Sequence, residues 1–150
     1  MRQLLQVLQP GDGSVELAPQ PGLPDVPRLV ARLRAVGYDV DYTASRCDGV
    51  PAALGLSCYR VIEESLTNVT RHSTATHVAI SVAHEAGGLA LSVEDPGPAR
   101  RLPDTPDRGV GRGLLGMKHR VDIFGGTLTT GPTQRGGFRV LATFPWAHTP

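Results

Sequence analysis

The sequence predicts an α/β domain: a two-layer sandwich in which a mixed, largely antiparallel sheet of about five strands packs on about three helices. Three observations predict it. Tyr38, Val40 and Tyr42; Val78, Ile80 and Val82; Leu89, Leu91 and Val93; and Phe138, Val140, Ala142 and Phe144 each alternate with other residues, as half-buried strands do. Other segments repeat apolar residues every three or four positions, the period of a helix with one buried face. The strands also follow one another in pairs, which favours helices on one side of a mixed sheet over a doubly wound parallel sheet.

In chain order, residues 2–9 place Leu4, Leu5 and Leu8 on one side and stop at Pro10-Gly11. This is too short a helix to stand alone and reads as the last turns of a longer one. A proline-rich connector follows over 11–24. Asp25 is the expected cap of a helix of about eleven residues, with Val26, Leu29, Val30, Leu33 and Val36 at helical spacing and Gly37 at the stop position. After a strand over 38–42 and a loop over 45–51, Pro51 opens a long helix from about Ala52 to His72. Its expected core stripe is Leu54, Cys58, Val61, Ile62, Leu66 and Val69. A β-hairpin turns in the Glu-Ala-Gly-Gly stretch at 85–88. Residues 95–112 have no period and read as a lid or binding loop. A further helix is expected from near Gly113 to just before Gly125-Gly126, then strands at about 127–130 and 138–144.

Composition narrows the class. The chain has 150 residues, Lys+Arg 15 against Asp+Glu 14, and a formal charge of +1, which argues against a nucleic-acid binder working through a basic surface. Lys118 is the one lysine, so the basic residues are a compositional bias toward Arg and not a local cluster. The 18 glycines and 13 prolines call for long loops around the core. No run of 18 apolar residues is present, so no membrane span is expected. Cys47 and Cys58 form no CxxC and read as two reduced thiols of a cytosolic protein.

Chemistry concentrates in three places. Glu64, Asn68 and His72 recur every four residues on the long helix, so they share one stripe that drifts by about 40° a step. A carboxylate, an amide and an imidazole in a row can hold a divalent metal and a polyphosphate; on spacing alone they can equally be the helix's solvated face. Asp95, followed by Pro96 and Gly97, closes a strand where a carboxylate can meet a ligand and the backbone can approach it, although turns use the same letters. Gly109, Gly111, Gly113 and Gly116 open a helix whose free N–H groups can receive an anion; a plain loop before a helix start has the same composition.

Taken in order, YRVIEESLTNVTRH, VEDPG, GVGRGLLGMKHRVDIFGG and GGFRVLATFP resemble the ATP-binding catalytic domain of bacterial sensor histidine kinases, within the GHKL ATPase superfamily. They look most like the nitrate/nitrite-sensor type, which signals to response regulators with helix-turn-helix output domains. The resemblance runs from about Leu54 to Pro145. It implies ATP and Mg²⁺ as cofactors and protein-histidine kinase chemistry. Residue by residue, it implies that Glu64 is the base or water organiser near the γ-phosphate, that Asn68 binds Mg²⁺, and that Arg71 and His72 lie near the phosphates. Asp95 accepts the adenine amino hydrogen, and Gly97 lets the base approach. Gly111, Gly113, Leu114, Leu115, Gly116 and Met117 match the segment that wraps the triphosphate.

Two departures stand out. Ala99 occupies the last position of a DxGxG pattern, with Pro96 and Pro98 stiffening the same stretch, and Glu63 precedes Glu64 where Gln is common. The histidines His72, His77, His84, His119 and His148 include no phosphoacceptor on a dimerisation hairpin. The expected organisation is therefore the end of such a hairpin at 1–10, a linker at 11–24, and the catalytic domain at 25–150. As a C-terminal fragment, the chain is expected to be a cytoplasmic monomer that binds ATP without phosphorylating itself. Its parent would be a homodimer, membrane-anchored or not, carrying the phosphoacceptor hairpin. The competing expectation is a free-standing GHKL regulatory switch, either an anti-sigma-type serine kinase or a non-catalytic ATP sensor.

Overall fold

The computed structural model describes residues 19–85, 87–97 and 108–147. Its elements are α1 (Val26–Ala35), β1 (Asp39–Ala44), α2 (Ala52–His72), β2 (His77–Glu85), β3 (Gly88–Asp95), α3 (Arg108–Ile123), β4 (Thr127–Pro132) and β5 (Phe138–Pro145). A 3-10 turn at Leu23–Asp25 leads into α1. The sheet order is β1-β2-β3-β5-β4, with β1 and β2 parallel and every other neighbouring pair antiparallel. α2 crosses from β1 to β2 and α3 from β3 to β4, and β5 then returns between β3 and β4. This is the mixed, largely antiparallel sheet on three helices that the sequence predicts.

The period of two along the strands builds one wall of the core. Val78, Ile80 and Val82 of β2, Leu89, Leu91 and Val93 of β3, and Val140, Ala142 and Phe144 of β5 are all 3% exposed or less. The predicted α2 stripe, Leu54, Cys58, Val61, Ile62, Leu66 and Val69, is buried throughout and faces them with Met117 and Val121 of α3. Each such Val, Leu, Ile, Phe or Met side chain contributes about 1.5–3 kcal/mol on transfer from water. Burial pushes the Cys58 thiol up to about 12, with the nearby Cys47 adding to the effect. Cys58 therefore serves as a small apolar core residue, and both cysteines are free thiols.

Three local expectations change. Asp25 does not cap α1 with its side chain; its carboxylate accepts the Gly22 N–H at 2.8 Å and closes the 3-10 turn instead. Val36 is 73% exposed because α1 ends one residue earlier, at Ala35, while Gly37 makes the stop with φ +101°. α3 begins at Arg108 and not near Gly113, so Gly109, Gly111, Gly113 and Gly116 lie inside the helix. Glycine costs a helix about 1 kcal/mol relative to alanine, which is why the segment reads locally as loop. Packing of α3 on α2 overrides that preference. The helix expected at 2–9, most of the connector at 11–24, and Pro98 and Ala99 lie outside the described residues. Among those described, no helix is long and apolar enough to cross a membrane.

Candidate functional site

The alternation that buries Leu89, Leu91 and Val93 carries on to Asp95, the last residue of β3, and turns a carboxylate inward. Asp95 is 2% exposed. Its Oδ1 accepts two hydrogen bonds, from Ser73 Oγ at 2.9 Å and from the Gly97 N–H at 2.8 Å. Its Oδ2 has no hydrogen-bond partner among the described residues. A buried carboxylate oxygen without a donor is costly unless a ligand supplies one. Gly97 takes φ +72°, and a side-chain carbon there would overlap the Gly136 carbonyl oxygen. Gly137 lies against the Asp95 carbonyl in the same way, and across the sheet Asp95 pairs in register with Phe138. Phe138 therefore points to the same face as Asp95, half-buried beside it.

From this end the site runs along α2. Ser73 directly follows the helix and its N–H caps the Val69 carbonyl at 3.0 Å, so Asp95 is tied to the C-terminal end of α2. Asn68 is half-buried, and its side-chain amide makes no hydrogen bond among the described residues. One turn earlier, Glu64 reaches α3: a side-chain carbon on Gly113 would overlap Glu64 Oε1. Glu63 is occupied elsewhere, bonded to Arg60 at 2.8 Å. Of the two adjacent acids, Glu64 is therefore the one that meets the glycine-bearing helix. Arg71 is exposed, and the side chain of His72 lies outside the described set.

The glycine-bearing helix presents its residues unequally. Leu114 packs on the core, Leu115 is 55% exposed, and Gly116 lies beside Arg120. Met117 is fully buried, with its sulfur 3.5 Å from Ser65 Oγ, and so forms the packing contact between α2 and α3. Gly111 is helical in backbone.

Comparison with known proteins decides what this arrangement belongs to. Residues 54–148 match the model of the "Histidine kinase-, DNA gyrase B-, and HSP90-like ATPase" family. The chain belongs to this ATPase family. Among curated relatives, the sensor histidine kinase YxjM of Bacillus subtilis is 32% identical over 95 residues, covering 63% of this chain and 22% of that protein. The histidine-protein kinase/phosphatase UhpB of Salmonella typhimurium is 36% identical over 90 residues, 60% of this chain and 17% of that protein. The nitrate/nitrite sensor NarX of Escherichia coli K12 is 27% identical over 95 residues, 63% and 16%. The matched stretch thus spans about a fifth of these relatives' length. In fold, the chain is similar to the Erythrobacter litoralis EL346 blue-light activated histidine kinase (TM-score 0.65, 20% identity, 88% of this chain and 43% of that one). It is also similar to the ATP-binding domain of PrrB from Mycobacterium tuberculosis (TM-score 0.55, 22% identity, 81% and 90%).

Within this histidine kinase-like ATPase domain, five residues escape sequence reasoning. Ser73 is hidden as a polar residue after a helix end, although it is 7% exposed and bonded to the site's key carboxylate. The Gly136-Gly137 pair reads as an ordinary turn ahead of β5. Phe138 reads as a core residue until its register with Asp95 is known. Ser65, 1% exposed, donates to the Val61 carbonyl at 2.6 Å and needs the α2–α3 contact to be seen as a packing residue.

Proposed function

We propose that this chain is the ATP-binding catalytic domain of a two-component sensor histidine kinase, transferring the γ-phosphate of ATP to a histidine on a separate dimerisation hairpin. The observation that carries the reading is Asp95: a 2% exposed carboxylate with one oxygen accepting two hydrogen bonds and the other without a donor among the described residues. An adenine amino group is the donor it calls for, with Phe138 offering a flat apolar wall. From Ser73 back to Glu64 is nine residues of helix, or about 13 Å along its axis, a span that a nucleoside triphosphate can bridge. The base then lies at the Asp95 end, and the γ-phosphate near Glu64 and Gly113.

Magnesium fits Asn68 as a single oxygen donor. The described residues contain no cluster of three metal-ligating side chains, so phosphate oxygens and waters would complete the shell, as Mg²⁺ prefers. The ion's contribution would be to neutralise charge on the phosphates. In the transfer, a nitrogen of the hairpin imidazole attacks the γ-phosphorus in line, the bond to the bridging oxygen breaks, and ADP leaves. Glu64 accepts the imidazole proton. The downstream partner is a response regulator with a helix-turn-helix output domain, and the parent is a homodimer.

Titration calorimetry tests the reading. The chain should bind Mg·ATP in the micromolar-to-millimolar range, and Asn68→Ala should weaken binding in Mg²⁺ far more than in EDTA. Labelled ATP should then phosphorylate a histidine on a separately made hairpin. Absence of ATP binding sinks the reading, and label on a serine of another protein replaces it with the regulatory switch.

Gly113 supplies a separate test. Gly113→Ala should leave thermal stability unchanged or raise it slightly, since alanine favours a helix by about 1 kcal/mol. The new methyl group displaces only the flexible end of Glu64. Phosphotransfer to the hairpin should nevertheless fall at least tenfold while ATP affinity changes little. Equal activity in the variant would show that the position of Glu64 is unimportant.

A further inference from the structure

Asp95 is held by partners of two kinds. The Gly97 N–H comes from two residues along the same strand end, and moves with it. Ser73 comes from 22 residues earlier, at the end of α2, and is the link between the carboxylate and the helix that carries Glu64 and Asn68. Ser73 Oγ accepts the Ala75 N–H at 3.0 Å, so its single hydroxyl hydrogen is left to point at Asp95 Oδ1, 2.9 Å away. With Ser73 7% exposed and Asp95 2% exposed, the bond is shielded from water.

We infer that Ser73 is a positioning residue for base recognition: its hydroxyl fixes Oδ1 of Asp95 so that Oδ2 faces the exocyclic amine of the bound purine. The torsion that turns an aspartate carboxylate is broad and soft, so the side chain alone does not hold the carboxylate plane at one angle. Two donors on Oδ1 fix that plane, and with it the direction of the Oδ2 lone pairs. Because Ser73 belongs to the end of α2, it also fixes the carboxylate relative to the residues proposed to hold the phosphates. The consequence is selectivity. Oδ2 accepts a hydrogen bond from an amine and repels a carbonyl, so ATP is chosen over ITP, which carries a carbonyl at that position. The inference rests on the proposed ATP site.

The test compares Mg·ATP and Mg·ITP affinities by calorimetry for the unaltered chain, Ser73→Ala and Ser73→Thr. The unaltered chain should favour ATP. Ser73→Ala should lower ATP affinity about tenfold, the order of one lost bond to a charged group, leave ITP almost unchanged, and so cut the ATP-to-ITP ratio about tenfold. Ser73→Thr, which keeps the hydroxyl, should restore the ratio. If Ser73→Ala does not fold, Ser73→Cys, with a weak donor of similar size, carries the same expectation. A variant that loses ATP and ITP affinity equally, or keeps the full ratio, overturns the positioning role while leaving the ATP site intact. An unaltered chain that binds neither nucleotide overturns both.

Discussion

Asp95→Asn is expected to weaken ATP binding by more than a hundredfold and to leave the fold intact. Ser73 Oγ and the Gly97 N–H both donate to Oδ1, so an amide at this position keeps its oxygen there. Its NH₂ group then occupies the place of Oδ2 and meets the adenine amine donor to donor. The charge-assisted bond, worth about 1.5–3 kcal/mol, is lost, and a buried donor is left unsatisfied at about 1–3 kcal/mol more. ITP reverses the sign, because its carbonyl accepts from the new amide, so the variant should bind ITP at least as well as the unaltered chain does. Calorimetric titration with both nucleotides reads the result, and a thermal melt confirms the fold. Unchanged ATP affinity would remove Asp95 from the base site. Asp95→Ala differs in kind: it strands two donors where the residue is 2% exposed, and stability should fall along with binding.

How much of this was legible in the sequence depends on whether a feature is written in one segment or between two. Leu89, Leu91 and Val93 set a parity that by itself turns Asp95 inward, and the four-residue spacing sets Glu64 and Asn68 on one stripe of α2. Both are periodic signals within one element, and both hold. The start of α3 is not legible, because glycine propensity at 109, 111 and 113 argues for loop and the contacts that outweigh it come from α2. Those contacts are Gly113 against Glu64 and Met117 against Ser65. The choice between Glu63 and Glu64 is legible only in part. Spacing favours Glu64, and the structure adds that Glu63 is paired with Arg60. That pair is more than a third exposed on both sides and adds little stability, so its relevance is directional. Ser73 cannot be found by pattern at all. It matters because a chain reversal of 22 residues brings it to Asp95.

Gly137→Ala should be the most damaging single-methyl change among the described glycines. A side-chain carbon there would overlap the Asp95 carbonyl oxygen and lie 2.8 Å from the Pro96 carbonyl carbon. These are backbone atoms, which cannot rotate aside as Glu64 can for Gly113. The turn offers no slack either: Gly137 donates to Thr133 Oγ1 at 3.0 Å and accepts from the Thr133 N–H at 3.0 Å. Relief therefore requires β5 to part from the end of β3, at the Asp95–Phe138 pair that closes the ladder. Overpacking of this kind costs about 1–3 kcal/mol, a fall of roughly 3–11 °C in melting temperature for a domain of this size. ATP affinity should fall with it, since Asp95 and Phe138 are the residues forced apart. Gly131→Ala on β4, where an added side-chain carbon would meet nothing within 4 Å beyond its chain neighbours, should change stability by less than about 0.5 kcal/mol and serves as the control. Gly97→Ala presses on the same junction from the opposite side, against Gly136. The two substitutions should therefore be non-additive, the second costing less once the first has opened the gap. Thermal melts of the three single variants and the Gly97–Gly137 double variant measure this directly. Additive losses would mean that the two glycines relieve separate contacts and that the base site is not built on their interlock.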